Sequence, residues 1–235
     1  MLPLRDLNPA RRFPIVTIVI IGINVLVFLW EILLPSQEAL EGLIYTAGLI
    51  PYHLTHSPNL SSVVSIFTSM FLHGSWMHLL GNMLFLWIFG DNVESVMGHF
   101  FYPIFYIGCG VMAALAQVFV GPNSMIPTIG ASGAIAGVLG AYLIIYPGAQ
   151  VETLFLIGYF VRLVRLPALV VLGLWIVLQF FNGLLSLGVA TAQTGGVAWF
   201  AHIGGFLTGA LMGVIFRPLA ERQGRWSGRY PGDWW

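Results

Sequence analysis

Four side chains able to do nucleophilic or acid–base chemistry stand out in an otherwise apolar chain of 235 residues: Ser132 in GASGAIAGVLGAYLIIYP, His202 in WFAHIGGFLTGALMGVIF, and His78 and Asn82 in MHLLGNMLFLW. A serine hydroxyl is a weak nucleophile until a base takes its proton, and imidazole takes and returns a proton near neutral pH. An amide and a second imidazole can donate hydrogen bonds to a developing oxyanion. These types suit acyl transfer if the chain brings them to one place.

Only membrane helices can position them. The chain is 58% hydrophobic and 8% charged, with a mean hydropathy of +0.88, outside the range of soluble domains. No Asp, Glu, Lys or Arg occurs between Glu41 and Asp91, between Glu94 and Glu152, or between Arg165 and Arg217. A bilayer core about 30 Å thick asks for roughly 20 apolar residues per helix. Six stretches qualify, near 14–34, 77–97, 99–120, 132–146, 167–190 and 199–216, which predicts an all-α polytopic bundle forming a single domain over 1–235. The first stretch lacks a small-residue cleavage site and is read as a retained span.

There is no Lys, and the nine Arg fall in three groups: Arg5, Arg11 and Arg12; Arg162 and Arg165; and Arg217, Arg222, Arg225 and Arg229. With six spans all three groups share one face, which the positive-inside rule makes cytoplasmic. Both termini, including a short tail at 217–235, are then cytoplasmic, in a multi-pass protein of the cell membrane. The first outer loop, near 35–76, is long but uncharged after Glu41, and is expected to lie in the membrane interface.

Depth singles out the four residues. The fourth span ends at Pro147, so from Ser132 to Tyr146 it is about 22 Å long, which leaves the Ser132 hydroxyl below the outer boundary. His202 lies 15 residues above Arg217, at about the same height. His78 and Asn82 share one face at the outer end of the second span. A lone Ser, His or Asn in a membrane helix is commonly interhelical glue, but polar groups converging at one depth mark function. The segment GPNSMIPTIGA before Ser132 must descend as irregular backbone, which survives at depth only where protein or a water-filled cavity meets it. Glycines would let the helices touch: Gly205, Gly209 and Gly213 form a stripe below His202, and Gly133, Gly137 and Gly140 lie beside Ser132.

The runs FTSMFLHGSWMHLLGNM, GASG at 130–133 and AHIGGFLTG at 201–209 resemble, in order, the signatures of the rhomboid family of intramembrane serine proteases, and the resemblance covers nearly the whole chain. It implies a six-span rhomboid-like bundle. Ser132 would be the nucleophile and His202 its base, with His78, Asn82 and the Ser132 backbone N–H stabilising the oxyanion. Gly130 and Gly133 would allow the tight turn into the helix, and Gly205 and Gly209 the close packing. The resemblance also implies single-span membrane proteins as substrates, cut toward the outer face, and a cap or gate made by the outer loop and the fifth span with Trp175, Gln179 and Phe180. Beyond the lipid bilayer and such substrates no partner is expected: no nucleic acid, no cofactor and no metal.

Asp91 and Glu94 lie about 13 and 18 Å below Asn82 by helix rise and are expected to face the cytoplasm or pair with polar neighbours. No acid is therefore expected beside His202, which predicts a Ser-His dyad with the ring held by packing and aromatic neighbours. Two positions depart from the family's pattern. Val64-Ser65 stands where many members carry Trp-Arg, and Ala136 where an aromatic residue often stacks on the histidine, so the ring would be oriented by Phe200, Trp199 or another helix. His73 is read as structural, and Cys109 as core filling. His53, His56 and His99 are scattered and HExxH is absent, against a metalloprotease. The competing reading is a transporter or a non-proteolytic rhomboid-like protein that binds membrane clients. Against the first stands the expectation that no charged residue occupies the outer half of a span, and against the second the presence of both Ser132 and His202.

Overall fold

The structure is a computed structural model, and it describes residues 2–157, 160–187 and 197–222. It is mostly helical. Strand β1 (Leu2–Asp6) precedes helix α1 (Ile15–Ile32), and three short helices follow: α2 (Gln37–Ala47), α3 (Pro51–His56) and α4 (Leu60–Thr68). Helix α5 runs from Trp76 to Val120 and α6 from Ser132 to Ile145. Strands β2 (Gln150–Ile157) and β3 (Phe160–Pro167) then lead into α7 (Ala168–Ser186) and α8 (Trp199–Arg222).

Helices α1, α5, α7 and α8 are long and apolar enough to cross a membrane, and α6 is a shorter apolar helix. Gly98 interrupts α5 with φ 79° and ψ 162°, a conformation that L residues with a Cβ avoid. The chain reverses there, dividing α5 into two arms, 76–97 and 99–120. The helix bounds follow the apolar stretches closely. Helix α8 continues past Arg217 to Arg222, while residues 188–190 of the fifth stretch and 223–235 of the tail lie outside the described residues.

The all-α expectation needs correction, because β1, β2 and β3 form a three-stranded antiparallel sheet in that order. The strands sit at the end of the bundle remote from Ser132. Residues 150–167 are rich in branched side chains, with Val151, Thr153, Val161 and Val164, a composition that suits a pleated surface. Glu152 accepts from Arg5 Nε at 2.6 Å and from Arg165 Nε at 3.0 Å, tying the three strands together.

Helix α6 is the hub of the core. Every residue from Gly133 to Tyr142 is buried, as expected of a helix that is apolar all round. The two glycine stripes meet on one of its faces. A Cβ on Gly209 would overlap the Gly137 carbonyl, one on Gly205 the Gly133 carbonyl, and one on Gly140 the Phe206 carbonyl. Helices α6 and α8 thus pack backbone against backbone.

Helix α1 is capped by another helix. Its N-cap residue is Pro14, which offers no side-chain bond, and the buried Glu94 of α5 accepts instead from Val16 N at 2.9 Å, Thr17 N at 2.8 Å and Thr17 Oγ1 at 2.7 Å. The carboxylate meets free N–H groups at the positive end of the helix dipole. At the same end, Asp6 Oδ2 accepts from Tyr142 Oη at 2.7 Å and from Asn92 Nδ2 at 2.8 Å. Burial, opposed by the Tyr142 hydrogen bond and helped by nearby Asp91, pushes the Asp6 carboxyl up to about 7.

Gly209→Val should destabilise the purified protein by about 1–3 kcal/mol through overpacking against α6. Gly22→Val on α1, where a Cβ would meet nothing within 4 Å, should change stability by less than about 0.5 kcal/mol in the same denaturation measurement. Because folding holds the Asp6 proton to higher pH than the unfolded chain does, Asp6 contributes stability that is fully present below its ordinary carboxylate range and is lost as pH rises through about 7. Melting temperature measured from pH 4 to 8 should fall across that window, and Asp6→Asn should flatten the fall.

Candidate active site

Four elements converge at the end of the bundle opposite the sheet. Ser132 is the first residue of α6, after Gly130 with φ 121° and Ala131 as the N-cap. The positive φ at Gly130 turns the chain into the helix, and the absence of a Cβ there matters sterically too: one would lie 2.6 Å from His78 Nε2. Since the helix begins at Ser132, its N–H is among those without an intrahelical acceptor.

The segment 121–131 descends as irregular backbone, and its polar groups are satisfied by the loop that covers it. Leu49 and Thr128 exchange both backbone hydrogen bonds, at 3.0 and 2.8 Å, while Tyr52 N donates to Ser124 O at 3.0 Å and Gly130 N to Ser69 O at 2.8 Å. The covering loop is helical. Asn59 and Ser62 form a capping box on α4, and Thr68 Oγ1 donates to Ala47 O at 2.7 Å. At the departing pair, Val64 is exposed and Ser65 is buried with its hydroxyl donating to Ser62 O at 2.8 Å.

Ser132 Oγ lies 2.8 Å from His202 Nε2. The other ring nitrogen, Nδ1, lies 2.8 Å from Gln179 Oε1 of α7. Both nitrogens are therefore occupied by uncharged partners, with a carboxylate at neither. The ring sits beside two indoles: Trp175 of α7, tilted by 37° with centroids 5.8 Å apart, and Trp199, edge-on at 6.3 Å. Trp175 supplies from another helix the aromatic neighbour that Ala136 does not. Phe200 has no ring contact with His202 among the described residues and lies against the Gly183 position of α7.

His78 and Asn82 project from the first turns of α5 toward Gly130, where a Cβ would also lie 3.7 Å from Asn82 Nδ2. Asn82 Nδ2 lies 3.0 Å from His73 Nε2. His73 Nδ1 faces the Phe71 carbonyl at 3.2 Å. A carbonyl only accepts, so Nδ1 carries the proton and Nε2 accepts from the Asn82 amide. Burial, with His78 beside it, pushes the His73 imidazole down to about 4, keeping it neutral. The backbone N–H of His73 donates to both carboxylate oxygens of Glu31 at 3.2 Å.

Glu31 overturns the expectation that no charged residue occupies the outer half of a span. It is 2% exposed near the site end of α1, and a lone acid in an apolar helix was the signal that could have found it. His73, read from the sequence as structural, bonds within its own loop at Phe71 and reaches the site through Asn82.

Ser132, His202, His78, Asn82, Gly130 and Trp175 line one cavity of about 680 Å³, whose remaining wall is largely apolar. Gly133 faces Ala113 and α8 behind it, and Gly205 and Gly209 lie on the α6 contact below. Such an arrangement can take a proton from a hydroxyl, hold an acyl group, and offer donors to an oxyanion.

The family described as "Rhomboid domain" matches residues 60–219. "Rhomboid protein 1, mitochondrial" of Saccharomyces cerevisiae is 28% identical over 220 residues, 92% of this chain and 57% of the yeast protein. "RHOMBOID-like protein 4" of Arabidopsis thaliana is 34% identical over 145 residues, 61% of this chain and 32% of the plant protein. "Presenilin-associated rhomboid-like protein, mitochondrial" of Homo sapiens is 29% identical over 140 residues, 58% of this chain and 34% of the human protein. The chain spans little more than half the length of the yeast protein and about a third of the other two.

The Ser132–His202 geometry predicts selective phosphonylation. A fluorophosphonate probe should label the purified protein on Ser132, and Ser132→Ala and His202→Ala should each abolish labelling in a gel-fluorescence assay.

Proposed function

The chain belongs to the rhomboid family, and from that membership we propose that it is an intramembrane serine endopeptidase that cleaves single-span membrane proteins with a Ser132–His202 dyad. The observation that carries the reading is the 2.8 Å contact between Ser132 Oγ and His202 Nε2, made between two apolar helices on the wall of a cavity.

The placement of donors and acceptors supports acylation and deacylation of Ser132. His202 Nε2 takes the hydroxyl proton as Ser132 Oγ bonds to the substrate carbonyl carbon, and the carbonyl electron pair moves onto oxygen. Asn82 Nδ2, His78 and the Ser132 N–H are the donors assigned to that oxyanion, each on or beside the wall of the same cavity. As the intermediate collapses, the C–N bond breaks and the proton on Nε2 passes to the leaving amine, leaving an acyl ester on Ser132. Water then repeats the cycle with His202 again as base, releasing the acid and restoring the hydroxyl.

A transmembrane helix hides its carbonyls in its own hydrogen bonds. The substrate must unwind locally to reach Ser132, which favours small and helix-weakening residues around the cut. Six membrane crossings are inferred from α1, the two arms of α5, α6, α7 and α8. The Arg-bearing sheet, with Arg5, Arg162 and Arg165, lies at the end opposite the cavity. By the positive-inside rule that end is cytoplasmic and the cavity opens on the far side of the membrane. The protein is read as a multi-pass protein of the cell membrane.

Reconstitution with a single-span substrate tests the reading. Ser132→Ala and His202→Ala should each eliminate cleavage, and Asn82→Ala should lower turnover about 10²- to 10³-fold through loss of an oxyanion donor. Cleavage at the parent rate by Ser132→Ala would refute the mechanism, and a parent protein that binds the substrate without cutting it would leave the non-proteolytic client-binding reading in its place.

A further inference from the structure

A dyad histidine can bind its proton on either nitrogen, and only one tautomer is a base toward Ser132. If Nε2 carries the proton it donates to Oγ and cannot accept from it. If Nδ1 carries the proton, the Nε2 lone pair faces the hydroxyl. In serine proteases of the triad type a carboxylate on Nδ1 enforces the second state.

Gln179, 7% exposed on α7, occupies that position here. An amide is ambiguous, because its oxygen accepts and its nitrogen donates. Rotated by 180°, it would donate to Nδ1 and fix the unproductive tautomer. A second contact favours the orientation with oxygen toward the ring: Gln179 Nε2 donates to the Trp175 carbonyl one turn earlier on α7, at 3.4 Å. With the nitrogen turned to a carbonyl, Oε1 is left to accept from His202 Nδ1. Trp175 contributes twice, since its ring also flanks the imidazole.

Resting on the dyad reading above, we propose that Gln179 is the positioning residue for His202, an uncharged third member that holds the imidazole in the tautomer able to take the Ser132 proton. It touches neither substrate nor oxyanion. When His202 takes up the proton, Oε1 keeps its hydrogen bond to Nδ1–H, and the ring stays aimed at the leaving amine. Unlike a carboxylate, the amide adds no negative charge beside the imidazolium, so the ring gains orientation without a strong bias toward the charged form. Since Gln179 and Trp175 both belong to α7 and His202 to α8, the aim of the base depends on α7 being packed in place.

The test measures kcat and KM for reconstituted parent, Gln179→Leu, Gln179→Glu and Ser132→Ala proteins, with melting temperatures alongside. Gln179→Leu keeps the bulk and removes the acceptor. It should lower kcat about 10- to 100-fold with KM within about twofold, and slow fluorophosphonate labelling in step. Gln179→Glu should restore most of that loss and move the acid limb of the kcat profile to higher pH, because a carboxylate favours the imidazolium. Among the described residues the other titratable side chain acting on the ring is His78 of α5, which is unchanged in all four proteins. Parent-like kcat in Gln179→Leu, a change confined to KM, or a loss that Gln179→Glu does not restore would each overturn the proposal. If Ser132→Ala is inactive while Gln179→Leu is parent-like, the positioning role fails alone. If Ser132→Ala remains active, the dyad reading fails and this role with it.

Discussion

The backbone contact between α6 and α8 governs the rest. Gly133, Gly137 and Gly140 on one helix meet Gly205, Phe206 and Gly209 on the other so closely that Cβ atoms at several of these positions would overlap carbonyl oxygens. Between membrane helices there is no hydrophobic drive to association, so van der Waals contact of small residues must supply it. The approach also sets the reach of two short arms. A serine hydroxyl one bond beyond Cβ and an imidazole can share a hydrogen bond only if their backbones nearly touch. Packing and chemistry are here the same constraint, and it explains why a helix with so few large side chains sits at the centre of the core.

A second constraint is satisfaction of polar backbone at depth. Helix α6 begins well inside the apolar body, and the chain must reach it without helical hydrogen bonds. The loop helices α2, α3 and α4 solve this by covering segment 121–131 and exchanging hydrogen bonds with it at Leu49, Tyr52 and Ser69. The same cover carries His73, which accepts from the Asn82 amide, and His73 is held in turn by Glu31. A cavity donor is thus aimed from outside its own helix, by a chain of groups with defined donor and acceptor roles. In a low-dielectric interior such a chain is worth having only when each member is satisfied.

Around His202 the same rule selects neutral partners. Gln179 Oε1 and Ser132 Oγ occupy the two ring nitrogens, and Trp175 and Trp199 border the ring. A carboxylate in that position would need its own compensation away from water. Among the described residues, several acids lie elsewhere with partners of their own: Glu94 caps α1, Glu152 binds two arginines of the sheet, and Asp6 meets Tyr142 and Asn92.

Much of this was legible in the order of residues. Apolar runs have a length that a bilayer fixes, so the bounds of α1, α6 and the start of α8 could be read from where polarity returns, and the gap between the stretches 77–97 and 99–120 falls on the break in α5. Helical rise and period placed Ser132 and His202 at one height and His78 and Asn82 on one face, because those are properties of a single helix. The sheet was not legible: 150–167 alternates only weakly, and its pairing with Leu2–Asp6 joins segments far apart in the chain, so no local period announces it. Glu31, His73 and Gln179 were visible as residues but not as partners. Periodicity says which way a side chain faces on its own helix. Which side chain of another helix it meets, and through which atom, depends on how the helices cross and rotate, and that only the tertiary packing decided.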